Sequence, residues 1–196
     1  PHLVEDLFTR AGKRMADYLV LEPVEPGCRY FFADGTTFDA PGTMDAFEEA
    51  VGRVFPAELA GFRRFRSEVA ALWEVSGPAF LENPFDARIL RKIPWGAAIR
   101  HAFAFRPGSM HRRLRHHFRD PRLIQLFARF ATYNGSDPYR CPATFNVIAH
   151  AELAFGSWRC RGGMAALPRA LARLATDLGA TIHYGRPIHT VRFGRD

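Results

Sequence analysis

The sequence predicts a mostly helical α+β fold with a small antiparallel sheet or hairpin. Three observations carry that expectation. Apolar residues recur at three- and four-residue spacing through most of the chain, and one Asp-Gly turn lies between aromatic strands. The third is composition: 47% apolar, 13% aromatic and 24% charged over 196 residues is a chain able to bury a core. Collagen-like, mucin-like and Gln/Asn-rich classes are excluded.

Leu3, Leu7, Ala11 and Met15 recur every four residues, so residues 2–18 read as an amphipathic helix whose apolar face Phe8 and Tyr18 widen. A hairpin near 28–39 follows, with Cys28–Phe32 and Thr36–Asp39 flanking Ala33-Asp34-Gly35. Thr43 caps a helix running to about Val54. A longer helix from Glu58 sets Leu59, Phe62, Val69, Leu72 and Trp73 on one side. Pro78, Pro84, Pro94 and Pro107 break residues 77–110 into short helices and loops. Asp120-Pro121 is an N-cap with proline at the first helical position, opening a helix that ends near Asn134-Gly135. Pro142 and Thr144 introduce another, to about Leu153. Gly162-Gly163 then opens a leucine-rich helix stopped by Gly179, and Ala180–Tyr184 and Ile188–Phe193 read as strands. The division by character is 1–156, largely helical, and 157–196.

Charge is unevenly placed. The 27 basic residues give a net charge of +7, but residues 1–58 hold 5 basic against 11 acidic residues and 59–196 hold 22 against 9. Between Arg88 and Arg122 there are ten basic residues and one acid, Asp120. Within it, Ile89, Leu90, Ile93, Trp95, Ile99, Phe103 and Phe105 interleave with Arg88, Arg91, Lys92, Arg100, His101 and Arg106. That mixture describes an interfacial segment meeting lipid headgroups, and equally a core helix with arginines along its rim. Cys28, Cys141 and Cys160 are few and far apart, which indicates neither a disulfide framework nor a zinc site. No secretory leader or spanning helix is visible.

No G-x-G-x-x-G, Walker A or G-x-S-x-G pattern occurs. His116 and His117 are adjacent, so they point to different sides of a helix and lack metal-ligand spacing; no metal is expected. Arg161-Gly162-Gly163-Met164 places two glycines before a helix. They serve either a tight turn needing positive φ or close backbone approach to something flat or phosphorylated. Thr132–Tyr139 sets aromatic and hydroxyl groups at a helix end, as a cap and turn or as a pocket lining.

Taken in order, Leu3–Gly12, Tyr30–Gly35, Gly61–Phe65, Asp120–Leu123, Ala131–Tyr139, Pro142–Thr144, His150–Leu153 and Arg161–Met164 resemble the phytoene desaturase family of carotenoid-forming flavin enzymes, within the amine-oxidase-like FAD superfamily. The resemblance spans nearly the whole chain and is weakest from about Gly77 to Phe118. It implies the substrate-binding portion of an FAD-dependent oxidoreductase over 1–156, and over 157–196 the start of a return to the FAD-binding domain. The activity implied is oxidation of C–C single bonds of a long isoprenoid, with electrons passed to flavin. Arg161, Gly162, Gly163 and Met164 correspond to a flavin-side turn, and Ile188 to a position whose backbone meets the adenine. Thr132, Tyr133, Tyr139, Phe145 and His150 fall on the substrate side.

The same resemblance implies a hydrophobic carotenoid substrate, an apolar tunnel that the 18 Phe would help to line, and a cytoplasmic enzyme peripherally associated with a membrane through the Arg88–Phe118 stretch. Catalytic groups are not carried over, with Arg88 and Arg91 as candidates only. The family's phosphate loop would precede Pro1, so the expectation is an internal portion of a larger enzyme, inactive alone. A basic nucleic-acid-binding module is the alternative from another class; it is disfavoured because the aromatics follow core periodicity and form no stacking platform. A membrane-surface module without catalysis is the third reading.

Overall fold

The computed structural model describes residues 1–77, 91, 93–102 and 107–193. In chain order the elements are α1 (His2–Arg10), β1 (Leu21–Pro23), β2 (Cys28–Phe31), β3 (Thr37–Ala40), α2 (Met44–Val54), α3 (Leu59–Ser76), α4 (Trp95–Arg100), α5 (Met110–His117), α6 (Pro121–Ala128), α7 (Val147–Phe155), β4 (Trp158–Cys160) and α8 (Ala166–Asp177). The mostly helical expectation with small sheets holds. The chain divides into two units, one of Pro1–Glu22 with Trp158–Asp196 and the other of Pro23–Ser157. Residues 1–22 therefore group with the later segment.

In the first unit α1 is shorter than residues 2–18. Gly12 takes φ +67° and Lys13 N–H donates back to the Phe8 carbonyl at 2.9 Å, which ends the helix with a left-handed residue. Phe8 is its buried anchor and packs with Leu19, Cys160, Ala170 and Leu174, whereas Leu3 and Leu7, expected on the buried face, are exposed. β1 pairs with β4, and Gly179 at φ +93° stops α8. Residues 180–193 form no strand, contrary to the sequence expectation, and Ile188, Val191 and Phe193 are exposed. Strand propensity is a fit to a half-buried pleated surface, and among the described residues no neighbouring strand supplies one.

In the second unit the hairpin forms with Cys28 opposite Ala40 and Tyr30 opposite Phe38, closed over Asp34-Gly35. The Asp34 carboxylate accepts the Thr36 N–H at 3.0 Å. Thr43 caps α2 and Asp120 caps α6 as expected, each side chain accepting a backbone N–H of the first turn. α2, α3, α5 and α6 enclose one apolar cluster built largely of aromatic rings. Phe127 is its hub, with ring centroids 4.6 Å from Phe65, 5.2 Å from Phe118, 5.8 Å from Phe47, and 6.2 Å from both Phe62 and Phe130.

This corrects the tunnel reading of the Phe excess. Nine of the 18, Phe8, Phe38, Phe47, Phe55, Phe62, Phe65, Phe118, Phe127 and Phe130, are at most 3% exposed and fill solid core. Rings pack edge to face and offset onto one another, so they close the space they were expected to line.

The core also holds charge. Arg113 Nε of α5 donates to both Glu68 oxygens of α3, at 2.7 and 2.9 Å, Arg113 Nη2 donates to Glu68 Oε2, and His117 Nε2 lies 3.1 Å from the same oxygen. Burial alone would push the Glu68 carboxyl up, but these hydrogen bonds outweigh it and hold the group below the ordinary carboxylate range. Glu58, also buried, accepts the Arg119 and Asp120 N–H groups at 3.1 and 2.9 Å and so secures the turn before α6.

Gly61 lets α3 meet α5 this closely, since a Cβ there would overlap the His117 carbonyl oxygen. Gly61→Ala is expected to destabilise the second unit by about 1–3 kcal/mol through overpacking. Thermal unfolding checks this; an unchanged melting temperature would show that the two helices separate at no cost.

Candidate functional site

The glycine pair stands where β4 turns into α8. Arg161 N–H donates to the Val20 carbonyl at 2.9 Å, ending the β1–β4 ladder, and Gly163 N–H folds back to the Cys160 carbonyl at 2.9 Å. Gly162 and Gly163 take φ +83° and +88°, a conformation that only glycine adopts without strain twice in succession. A Cβ built at either position would meet no atom within 4 Å. The tight-turn reading is met, since both residues take positive φ, and the space beyond the two glycines is open. Gly162 and Met164 N–H donate to no carbonyl among the described backbone hydrogen bonds.

This turn forms one wall of a cleft of about 430 Å³ lined by Glu22, Arg159, Cys160 and Arg161–Met164. Glu22 Oε1 accepts from Arg161 Nε at 2.7 Å, and Oε2 accepts from Arg159 Nε at 3.1 Å. The Arg161 hydrogen bond holds Glu22 below the usual carboxylate range. Glu22 lies 139 positions from Arg161, and no local pattern in the sequence marks it as part of this wall. Ile188, matched by resemblance to the adenine side, is exposed in an irregular stretch.

A second cluster lies in the other unit, where side chains of a 3₁₀ turn over Arg129–Asn134 reach Glu152 of α7. Arg129 Nη2 donates to Glu152 Oε1 at 2.9 Å, and the Tyr133 hydroxyl donates to Glu152 Oε2 at 2.5 Å. The Arg129 guanidinium also sits over the rings of Phe130, Tyr30 and Tyr133, at 4.6, 5.8 and 6.0 Å from their centroids. Arg129 Nε is buried without an acceptor, and the three ring faces supply attraction in place of that hydrogen bond. Burial, with the hydrogen bond to Glu152 adding to it, raises the Tyr133 phenol, and burial raises Tyr30 further. Both stay protonated donors across ordinary pH.

Tyr133 is a site candidate in the sequence and Glu152 falls inside the quoted His150–Leu153 block, whereas Arg129 lies outside every quoted block. The signal for Arg129 is a positive charge just before the Ala131–Tyr139 block. The other substrate-side candidates have different partners. Thr132 Oγ donates to the Arg129 carbonyl at 2.7 Å, which caps the turn. The Tyr139 ring lies against His111, centroids 4.2 Å apart and planes tilted by 38°. Phe145 packs half-buried against the core, and His150 lies 5.6 Å from the Trp73 ring with Phe155 beyond it. Burial, reinforced by Arg66, lowers the His150 imidazole, so it is neutral at pH 7. Only Thr132 and Tyr133 are brought together directly.

The Arg88–Phe118 stretch does not act as one segment. Arg88, Ile89, Leu90, Lys92, Phe103, Phe105 and Arg106 lie outside the described residues. Met110, Leu114 and Phe118 enter the core and Arg113 pairs inward, whereas Trp95 and Ile99 of α4 are exposed. Arg91 is exposed. His117 turns inward to Glu68 while His116 faces solvent, as adjacency on a helix requires. Among the described residues no helix is long and apolar enough to cross a membrane.

The family model described as "Flavin containing amine oxidoreductase" matches residues 5–196. The chain is 37% identical over 194 residues to a hydroxyneurosporene desaturase of Rhodobacter capsulatus, a match covering 94% of this chain and 37% of that protein. It is 38% identical to a phytoene dehydrogenase of Streptomyces griseus, covering 96% and 37%. To an all-trans-zeta-carotene desaturase of Myxococcus xanthus it is 32% identical, covering 98% and 36%. The chain therefore spans a little over one third of the length of these relatives.

Proposed function

The chain belongs to the flavin containing amine oxidoreductase family, and from that premise we propose that the whole protein is an FAD-dependent desaturase acting on a long isoprenoid, a carotenoid or its precursor. The observation that carries the reading is identity of 32–38% held along nearly the whole chain to proteins named as two desaturases and a dehydrogenase. Desaturation removes two hydrogens and two electrons from adjacent carbons, chemistry for which protein side chains offer no acceptor. FAD, when bound, supplies it.

This chain's part is to orient and to exclude water. Arg161, Gly162, Gly163 and Met164 would hold the flavin side, because the turn offers two free N–H groups and no side chain to obstruct a flat ring. Ile188 would meet the adenine side. Thr132, Tyr133, Tyr139, Phe145 and His150 are proposed on the substrate side, where a neutral His150 and a protonated Tyr133 suit a substrate without charge. Such a substrate resides in a bilayer, and the exposed Trp95 and Ile99 beside Arg91 and Arg100 support peripheral membrane association.

The full-length protein is expected to purify with flavin absorbance and to lengthen the conjugated system of phytoene or hydroxyneurosporene, seen as a red-shifted product on chromatography. A full-length protein that carries no flavin and forms no such product would refute the proposal. Gly163→Val strains the turn and covers its backbone, so FAD affinity is expected to fall about tenfold or more. Flavin titration checks this, and undiminished affinity would remove the turn from the site.

A further inference from the structure

A second cleft, of about 630 Å³, runs along α5 and is lined by Pro107, Ser109, His111, Arg112, Arg113, Arg115 and His116. We propose that it binds a phosphate group through Arg112 and Arg115. The helix reads Met-His-Arg-Arg-Leu-Arg-His-His and carries no acid. Of its three arginines, Arg113 is turned inward and neutralised by Glu68, as the core requires. Arg112 and Arg115 are exposed, three residues apart and so on adjoining turns of one face, and no carboxylate pairs with either among the described residues.

Arg10, Arg14, Arg29, Arg63, Arg66, Arg122 and Arg129 each hold a carboxylate, whereas Arg112 and Arg115 hold none among the described residues and line the same cleft. Two planar forks opening on one cleft match the oxygens of a phosphate bidentately. The backbone is not the receptor. The N–H groups of the first turn are already taken: Met110 donates to the Cys141 carbonyl at 3.0 Å, His111 to Pro138 at 2.9 Å, and Arg112 to Ser109 Oγ at 3.3 Å. These contacts instead fix α5 against residues 138–142 and leave the arginine side chains as the recognition groups. Gly108 at φ +125° lies beside the Arg112 stem, where a Cβ would stand 3.6 Å from its Cδ, so the start of the helix also helps direct that side chain.

A phosphate can come from a lipid headgroup or from a soluble diphosphate, and the test separates them. The full-length flavoprotein is titrated with inorganic pyrophosphate, and separately with vesicles of phosphatidylcholine with and without phosphatidylglycerol. The lipid arm rests on the membrane reading above; the pyrophosphate arm does not. Arg112→Gln and Arg115→Gln are each expected to weaken binding about fivefold, and the double variant about 25-fold. Arg112→Lys with Arg115→Lys should recover vesicle binding.

Response to pyrophosphate alone assigns a soluble ligand, and response to phosphatidylglycerol vesicles alone assigns a lipid; both support the site. Binding of neither probe, or a double Gln variant that binds as tightly as the parent, overturns it. Neither arginine has an ionic partner to lose, so the variants should melt with the parent. Turnover of detergent-dispersed substrate reports on the desaturase reading separately.

Discussion

Replacing Arg113 with Met should destabilise the protein by about 3–5 kcal/mol, enough to unfold a marginally stable unit. The cost comes from what is left behind. Glu68 is 3% exposed and, among the described residues, keeps only His117 Nε2 as a side-chain hydrogen-bond partner when Arg113 goes. A buried carboxylate stripped of its guanidinium has lost most of the interaction that offset its dehydration. The effect should depend on pH in a defined direction. In the parent the Glu68 carboxyl sits below its ordinary value of 4.5, so its contribution is fully present above that pH and is lost as pH falls through the lower folded value. In the variant, burial without Arg113 raises the folded value, so acidification stabilises the variant relative to neutral pH. The gap between parent and variant melting temperatures therefore narrows as pH is lowered from 7 toward 4. A gap that is constant with pH would mean that Arg113 acts through packing and not through Glu68.

Phe127→Ala is expected to cost about 3–5 kcal/mol. The ring touches five other phenylalanines drawn from α2, α3, the turn before α6 and the segment after it. Each of those five is itself at most 1% exposed, so none has free space from which to relax into the cavity. Phe127→Leu keeps most of the volume and should cost about 1.5 kcal/mol or less. Denaturant unfolding followed by far-ultraviolet circular dichroism checks the pair, through a lower midpoint at unchanged slope. Equal midpoints for Ala and Leu would show that the aromatic cluster collapses around small side chains.

Much of the local structure was legible because local rules generate it. Thr43 and Asp120 cap their helices, Asp34-Gly35 closes the hairpin, and Gly179 stops the last helix, each through bonds to residues within a few positions. The bare backbone of Gly162-Gly163 was legible for the same reason: positive φ at two successive residues is a property of the glycines themselves. Where prediction failed, the deciding partner lay far along the chain. Residues 180–193 carry strand composition but, among the described residues, no adjacent strand, and Leu3 and Leu7 repeat at helical spacing yet are exposed.

The arginines show the division most clearly. By itself the sequence determined family membership, helix boundaries at caps and glycines, and a concentration of positive charge from Arg88 to Arg122. It could not say which arginines were available. Arg113 is neutralised by a glutamate 45 positions away, Arg129 by one 23 positions away and Arg161 by one 139 positions away, leaving Arg112 and Arg115 open on the α5 cleft. Phenylalanine divides the same way: its abundance is compositional, but packing decided that the buried rings face one another. Backbone geometry is set by torsions and short-range hydrogen bonds, whereas the state of a charge or a ring depends on what the folded chain places within a few ångströms of it.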